Sequence, residues 1–229
     1  MAHIVVIDHP LPAASIAALF NQRPALHAVA LAPTDWNEAP PDALLLVEEH
    51  LPERQSGFRL ARRILSERPD LAPILWTVRP APIALWAASA QHLPGVLDKA
   101  APLDDILPRI ERAVINRASW PGDLLEEARQ WGQDVAVRLW GLTACHWALW
   151  HAVLRDANTE DIATQHVWGK RTAERRLAEL FEALGLASRV EAVHQVWVWG
   201  MLTARPDGVG WTTIVEEIFL SESDPGNCE

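Results

Sequence analysis

Tyrosine is absent from the 229 residues and cysteine occurs only twice, at Cys145 and Cys228. Two cysteines so far apart build neither a disulfide framework nor a four-ligand zinc site, so stability must come from an apolar core and a reducing cytoplasm is the expected setting. Long apolar runs are missing too: nothing approaches the roughly 18 residues of a membrane helix. The opening MAHIVVIDHP meets an acid after four apolar residues, so no secretory signal and no membrane partner are expected. Positive charge is scarce. Twenty Lys and Arg stand against thirty Asp and Glu, a net charge of -10 with a pI near 5.3. Bulk charge therefore cannot hold a nucleic acid, and any such binding needs a local basic patch.

Catalytic signatures are also lacking. There is no phosphate-binding glycine loop, no His-Glu-x-x-His metal pair and no Gly-x-Ser-x-Gly elbow. Cys145, His146 and His151 lie close in sequence, but on one helix Cys145 and His146 diverge by about 100° and His151 follows five residues later. They read as packing or surface residues. No catalytic residue, metal ligand or cofactor is assigned, and an enzyme is not expected.

What is present is an apolar share of 49% and twelve Trp, enough for one large or two small domains. The first half alternates. Short β-branched or apolar runs at Ile4 to Ile7, Leu26 to Leu31, Ala43 to Val47, Ile74 to Val78 and Val96 to Leu97 are separated by helical periodicities at Pro10 to Phe20, Phe58 to Leu65, Ala81 to Ala90 and Leu103 to Val114. Five strand-and-helix units predict a parallel sheet with helices on both faces. Past Asn116 strand signals stop. Leu124 to Val137 reads as a linker helix, and Leu142 to Val193 holds three or four helices with short turns.

Asn158 and Asp161 have the spacing of a helix-starting capping pair. From Thr172 to Leu184, Ala173, Leu177, Leu180, Phe181 and Leu184 form one buried stripe, leaving Glu174, Arg175, Arg176, Glu179 and Glu182 outside. Four of the six basic groups between 142 and 193, Lys170, Arg171, Arg175 and Arg176, fall within seven residues. They are the local patch that the overall charge requires. The region from 194 onward is acidic, with one base and six acids.

Leu142-Thr143, Leu149, Asp161-Ile162-Ala163, Trp168-Gly169-Lys170-Arg171-Thr172, Leu177, Leu184-Gly185-Leu186 and Ser188-Arg189 run without a gap along a pattern that resembles the LuxR-type (NarL/FixJ) helix-turn-helix. The resemblance implies that the helix beginning near Thr172 enters the major groove of double-stranded DNA. Thr172, Glu174, Arg175 and Arg176 occupy its N-terminal turns, where base-reading side chains are needed. Lys170, Arg171, Thr172 and Arg176 would hold phosphates, with Glu174 and Arg175 on base edges. Gly169 stands where the family usually has a capping Ser, and Glu174 stands where a base is common. The opposing reading is a salt-laced solvated face on a protein-interaction module that has lost DNA binding.

VVIDHP at Val5 to Pro10, PDALLLVEEHLP at Pro41 to Pro52, Gly57, Thr77 and GVLDK at Gly95 to Lys99 resemble a response-regulator receiver domain. In that family two acids after strand one and an Asp after strand three hold Mg²⁺ and accept a phosphoryl group. Here the set is incomplete. Ile7 replaces one acid and leaves Asp8 alone, while counting back from Pro52 puts Glu48, or Val47 after a slip of one residue, at the acceptor position. Val96 replaces the aromatic switch residue. Asp8, Glu48, Thr77 and Lys99 therefore form a degenerate phosphoacceptor pocket, in which either Glu48 pairs with Lys99 as a permanent mimic of the activated charge, or Glu48, Asp8 and Lys99 are a residual polar cluster of structural value only.

Together these features predict an α/β five-stranded parallel flavodoxin-like receiver followed by an all-α helix-turn-helix domain. The expected layout is a pseudo-receiver over 1–115, a linker helix over 116–140, a DNA-binding domain over 141–196 and an extension over 197–229. The resemblance implies a cytoplasmic, homodimeric transcription regulator, open to a regulatory protein or ligand at its receiver. Trp197 and Trp199 would lie on the dimer helix, while Trp147, Trp150 and Trp168 read as core packing rather than base-stacking platforms.

Overall fold

The computed structural model describes residues 2–52, 55–120, 122–205 and 208–220. The chain divides into two compact units, Met1–Pro80 with Ala84–Glu127, and Ala81–Ile83 with Ala128–Glu229.

In the first unit, strands β1 (Ala2–Ile7), β2 (Leu26–Leu31), β3 (Leu44–Glu48), β4 (Ala72–Thr77) and β5 (Val96–Asp98) form one all-parallel sheet in the order β2-β1-β3-β4-β5. The central strands are apolar throughout, as a sheet covered on both faces requires. Alternate residues serve opposite faces. Ile4, Val6, Leu44, Leu46, Ile74 and Leu97 pack against helices α1 (Pro10–Phe20) and α4 (Leu103–Asn116), through Phe20, Ile106 and Ile110. Val5, Ile7, Leu45 and Val47 pack against α2 (Gly57–Glu67), through Leu60 and Ile64. Each such side chain removed from water contributes roughly 1.5–3 kcal/mol. Helix α3 (Pro82–Ala90) follows β4.

Between β2 and β3, where the sequence marks no helix, stands a single 3₁₀ turn, Trp36–Glu38. Trp36 is buried with Ala39, Val5 and Ile7, so one large side chain covers sheet area that a helix would have covered. Arg63 stacks over its ring at 5.5 Å.

Helix α5 (Gly122–Trp131) crosses the boundary between the units, and in the second unit a π-helical segment (Gly132–Ala136) and α6 (Val137–Trp140) precede four helices, α7 (Ala144–Leu154), α8 (Thr159–Gln165), α9 (Lys170–Leu184) and α10 (Arg189–Val198). Their starts are written into the sequence. Thr143 and His146 exchange hydrogen bonds in a capping box on α7, Asn158 and Asp161 do so on α8, and the Ser188 hydroxyl accepts from Glu191 N at the start of α10. Each cap contributes about 1 kcal/mol. Helix α9 ends at Gly185, whose φ of +67° admits the left-handed turn that returns Leu186 N to Phe181 O. Arg138 adds a donor to Leu184 O at 3.1 Å.

Strands do recur after residue 116. β6 (Leu202–Arg205) and β7 (Gly208–Trp211) form an antiparallel hairpin within the extension, followed by α11 (Thr213–Val215) and a π-helical turn, Glu216–Leu220. The extension completes an aromatic core. Trp211 packs at 5.2 and 5.3 Å from Trp147 and Trp150, Phe219 lies 5.9 Å from Trp147, and Trp199 lies 6.2 Å from Trp150. The expected core role of Trp147 and Trp150 stands. Trp199, expected on an exposed interface, is buried, with the rings of Trp150 and Trp131 edge-on to it at 6.2 and 6.5 Å. Cys145 is not a free thiol. Cys228 lies outside the described residues.

Candidate functional site

The parallel sheet places the C-terminal ends of β1, β3, β4 and β5 side by side, and these are the positions of Asp8, Glu48, Thr77 and Lys99. Lys99 Nζ donates to Asp8 Oδ2 at 2.6 Å and also meets Glu48 Oε2. Asp8 and Glu48 are 3% and 8% exposed, so two buried carboxylates share one ammonium and the cluster keeps a net negative charge. The free oxygens are used: Asp8 Oδ1 accepts from His9 N at 2.6 Å, and Glu48 Oε1 from His50 N at 3.2 Å. Lys99 N donates to Thr77 O at 2.7 Å. Of the two registers left open, Glu48 is the one that reaches Lys99, while Val47 is wholly buried in the core. Gly57 belongs to the same construction, since a Cβ there would stand 1.7 Å from Glu48 O.

This donor set does not fit a Mg²⁺ ion. A hard divalent cation needs several oxygen ligands. Here only Asp8 and Glu48 are supplied, both already on Lys99, and Ile7, where a further acid would sit, is fully buried among apolar residues. Among the described residues no group of three or more His, Cys, Asp or Glu is arranged to hold a metal.

The second site is the start of α9. Lys170, Arg171, Glu174 and Arg175 are exposed, while Thr172 and Arg176 are half-buried. Gly169 gives no side-chain cap, and a Cβ there would meet nothing within 4 Å; the Thr172 amide turns back to Gly169 O at 2.9 Å. The six residues predicted from sequence are thus on one helix end. Their charges are not free, however. Lys170 pairs with Glu160 of α8, a hydrogen bond that holds the lysine above and the glutamate below its usual range. Arg175 Nη1 meets Glu179 Oε1 at 2.7 Å, and Arg176 Nη1 lies 3.5 Å from Glu179 Oε2. Arg171 has no ion pair or hydrogen bond among the described residues.

Arg176 also lies 6.0 Å over the Trp168 ring, which stacks on His166 at 4.6 Å. Between those two rings Val167 has a φ of +56° and is 93% exposed. A β-branched residue in left-handed backbone is strained, and the strain sits in the turn that aims α9. Burial pushes the His166 imidazole down. It also pushes down His146, where Glu179 pulls the other way and Arg176 adds to the lowering. Sequence spacing makes the Arg175–Glu179 pair readable. The Glu160 pairing crosses a turn and is not readable in this way.

No protein-family model and no curated protein matches the chain. Solved structures do. The RcsB response regulator of Salmonella typhimurium, in a study of its conformational dynamism for DNA interaction, shares 16% identity over 86% of this chain and 100% of its own, with a TM-score of 0.59. An RcsB–DNA complex described as a two-component response regulator gives 17%, 86%, 98% and 0.57. A structure of two RcsB dimers bound to two parallel DNAs gives 16%, 86%, 98% and 0.56. At such identities the likeness is one of fold. The chain has the fold of a two-domain response regulator, a flavodoxin-like receiver and a helix-turn-helix domain, and the match covers more than either unit alone.

Proposed function

We propose that this chain is a sequence-specific regulator of transcription that binds double-stranded DNA through α9 and is not controlled by aspartyl phosphorylation. The observation that carries the reading is the open N-terminal end of α9, with Lys170, Arg171 and Arg175 exposed around uncapped amides. A helix start of this kind is an anion site awaiting a phosphate. Lys170, Arg171 and Thr172 hold the backbone. Arg175 and Glu174 face base edges, guanine and the cytosine amino group being their natural partners. Arg176, stacked on Trp168, contributes more to aiming the helix than to contact. The RcsB structures that share this fold include DNA-bound dimers, and the exposed Val190, His194, Trp197 and Val198 on α10 give this chain a surface on which to dimerise.

Lys99 supports the second half of the reading. With the ammonium already between Asp8 and Glu48, and without a third carboxylate, the residues of the pocket do not fit the metal that phosphoryl transfer needs. Glu48 supplies a standing negative charge in its place.

Retardation of random duplex fragments over a salt series tests the proposal. Retention should fall with a log–log slope of about -5 to -7 for a dimer making three to four phosphate contacts per subunit, and Lys170→Ala with Arg171→Ala should abolish it. Incubation with Mg²⁺ and acetyl phosphate should leave no acyl phosphate. A second reading is favoured by one observation, the engagement of Lys170, Arg175 and Arg176 by Glu160 and Glu179: an interaction module that keeps both folds without binding DNA. A native chain that ignores duplexes at low ionic strength decides for it.

A further inference from the structure

Away from α9 and the Lys99 pocket, the first unit carries a cleft of about 370 Å³ formed by the last turns of α4 and the chain that follows them. Arg109, Arg112 and Asn116, at i, i+3 and i+7, line it from the helix, and Ser119 and Trp120 line it from the returning chain. That chain is pinned. Arg117, at a φ of +55°, turns it back and anchors it on Asp42 Oδ1 at 3.0 Å and on Asp70 O. Ser119 then runs beside β5, donating to Pro94 O at 3.0 Å and accepting from Val96 N at 3.2 Å, and Trp120 Nε1 donates to Leu93 O at 3.1 Å. The wall is therefore preformed.

The neighbouring Arg117 spends its charge inside the unit, whereas Arg109 and Arg112 have no hydrogen bond or ion pair among the described residues. Ser119 is 8% exposed, lines the cleft, and its hydroxyl makes no hydrogen bond among the described residues. A preformed hollow with two uncommitted guanidiniums, an amide, a buried hydroxyl and an indole is a set of donors without an acceptor.

We propose that this cleft binds a small phosphomonoester carrying a flat ring, a ligand of the nucleoside monophosphate kind. Two guanidiniums match the two charges of a phosphate dianion and offer forked donors to its oxygens. The Asn116 amide and the Ser119 hydroxyl supply further donors. A phosphate group by itself leaves most of the volume unfilled, and the volume lies within the range of small-molecule sites, about 300–1,000 Å³. Trp120 supplies the surface on which a ring stacks. The site is independent of α9 and of the Lys99 pocket, so its fate does not depend on the reading of either.

Calorimetric titration of the full chain, with ³¹P line broadening as a second readout, uses adenosine monophosphate, inorganic phosphate and adenosine as probes. The nucleotide should bind, phosphate should bind more weakly, and adenosine should not bind. Arg109→Ala and Arg112→Ala should each weaken the nucleotide by on the order of tenfold or more, as loss of a charged hydrogen bond does. Trp120→Leu should weaken the nucleotide and leave phosphate unchanged. Ala118→Glu, an exposed lining position that adds an anion without disturbing the core, should abolish binding at an unchanged unfolding midpoint. No heat and no broadening with millimolar nucleotide overturns the proposal, as does an Ala118→Glu protein that binds like the wild type. Equal affinity for phosphate and nucleotide removes the ring from it.

Discussion

Both units carry ionic clusters built from the same residue types, yet burial makes them opposites. Lys99 is bound by Asp8 and Glu48, with side chains 17%, 2% and 10% exposed, whereas Lys170 and Glu160 meet at 59% and 63% exposure. In the buried cluster each charge was stripped of water and now depends on its partners, so removing one strands the rest. On α9 water remains available to every partner, and such a pair contributes little to stability. A DNA phosphate can therefore displace Glu160 or Glu179 at little cost, while nothing of comparable strength displaces Lys99. The first cluster holds one arrangement and the second is exchangeable. Ion pairing on α9 is thus compatible with DNA binding, and it sets a threshold on it.

The contrast is most exposed to failure at Lys99. Replacing it by Met leaves two buried carboxylates facing each other, and denaturant unfolding of the full chain should show a loss of about 3–5 kcal/mol, the penalty for breaking a buried pair. Glu48→Gln keeps a hydrogen-bonding group on Lys99 and should lose less. If Lys99→Met costs under about 1 kcal/mol, the pocket is as exchangeable as the surface and the comparison collapses.

The exposed side predicts the reverse pattern. Glu179→Gln and Glu160→Gln should each leave stability almost unchanged while raising DNA affinity several-fold, because Arg175, Arg176 or Lys170 no longer has to leave a carboxylate. Equilibrium binding at fixed salt, with unfolding curves on the same samples, separates the two effects. A large stability loss without any gain in affinity would make these pairs structural.

Acid sharpens the picture within the second unit. His146 and His166 are held below the ordinary imidazole range, chiefly by burial, so the folded chain binds their protons less readily than the unfolded one. Their contribution is fully present above an unfolded value of about 6.5 and is lost as pH falls from there toward the lowered folded values. Calorimetric scans between pH 8 and 5 should show the melting of the second unit declining over that window. His166→Phe should flatten the part due to His166, since it keeps a ring against Trp168 and removes the titrating group.

How much of this was legible follows from where the deciding contacts lie in sequence. The runs ALLLV and VVI define central strands by composition alone, and Ala173, Leu177, Leu180 and Leu184 define the buried face of α9 by spacing. Asn158 with Asp161, and Gly185 after Leu184, mark helix ends because capping is local. The 3₁₀ turn between β2 and β3 was not legible, since its reason is Trp36 packing against residues of β1, β3 and α2, a contact between distant segments. Neither was the hairpin: Leu202–Arg205 and Gly208–Trp211 are short, and they are held by an aromatic core with Trp147 and Trp150 some fifty residues away. That same core reverses the expected exposure of Trp199. At the sites, side-chain identity placed Lys99 opposite Asp8 and Glu48, but whether the bases of α9 stand alone depended on Glu160, which reaches Lys170 only after the turn is folded.

The smallest effect concerns that turn. Val167 is so exposed that its side chain contributes almost no packing, yet its backbone lies where a Cβ is penalised by roughly 1–2 kcal/mol. Val167→Gly removes the penalty and adds unfolded-chain entropy of about 0.5–1 kcal/mol against it, so the expected result is a net gain of about 0–1.5 kcal/mol. Val167→Ala keeps the Cβ and should gain less, which separates relief of strain from removal of an exposed apolar group. The gain should appear in the thermal unfolding of the second unit and leave the Lys99 pocket unaffected. If Val167→Gly is instead destabilising, the turn is not strained, and α9 is aimed by Trp168, His166 and Arg176 alone.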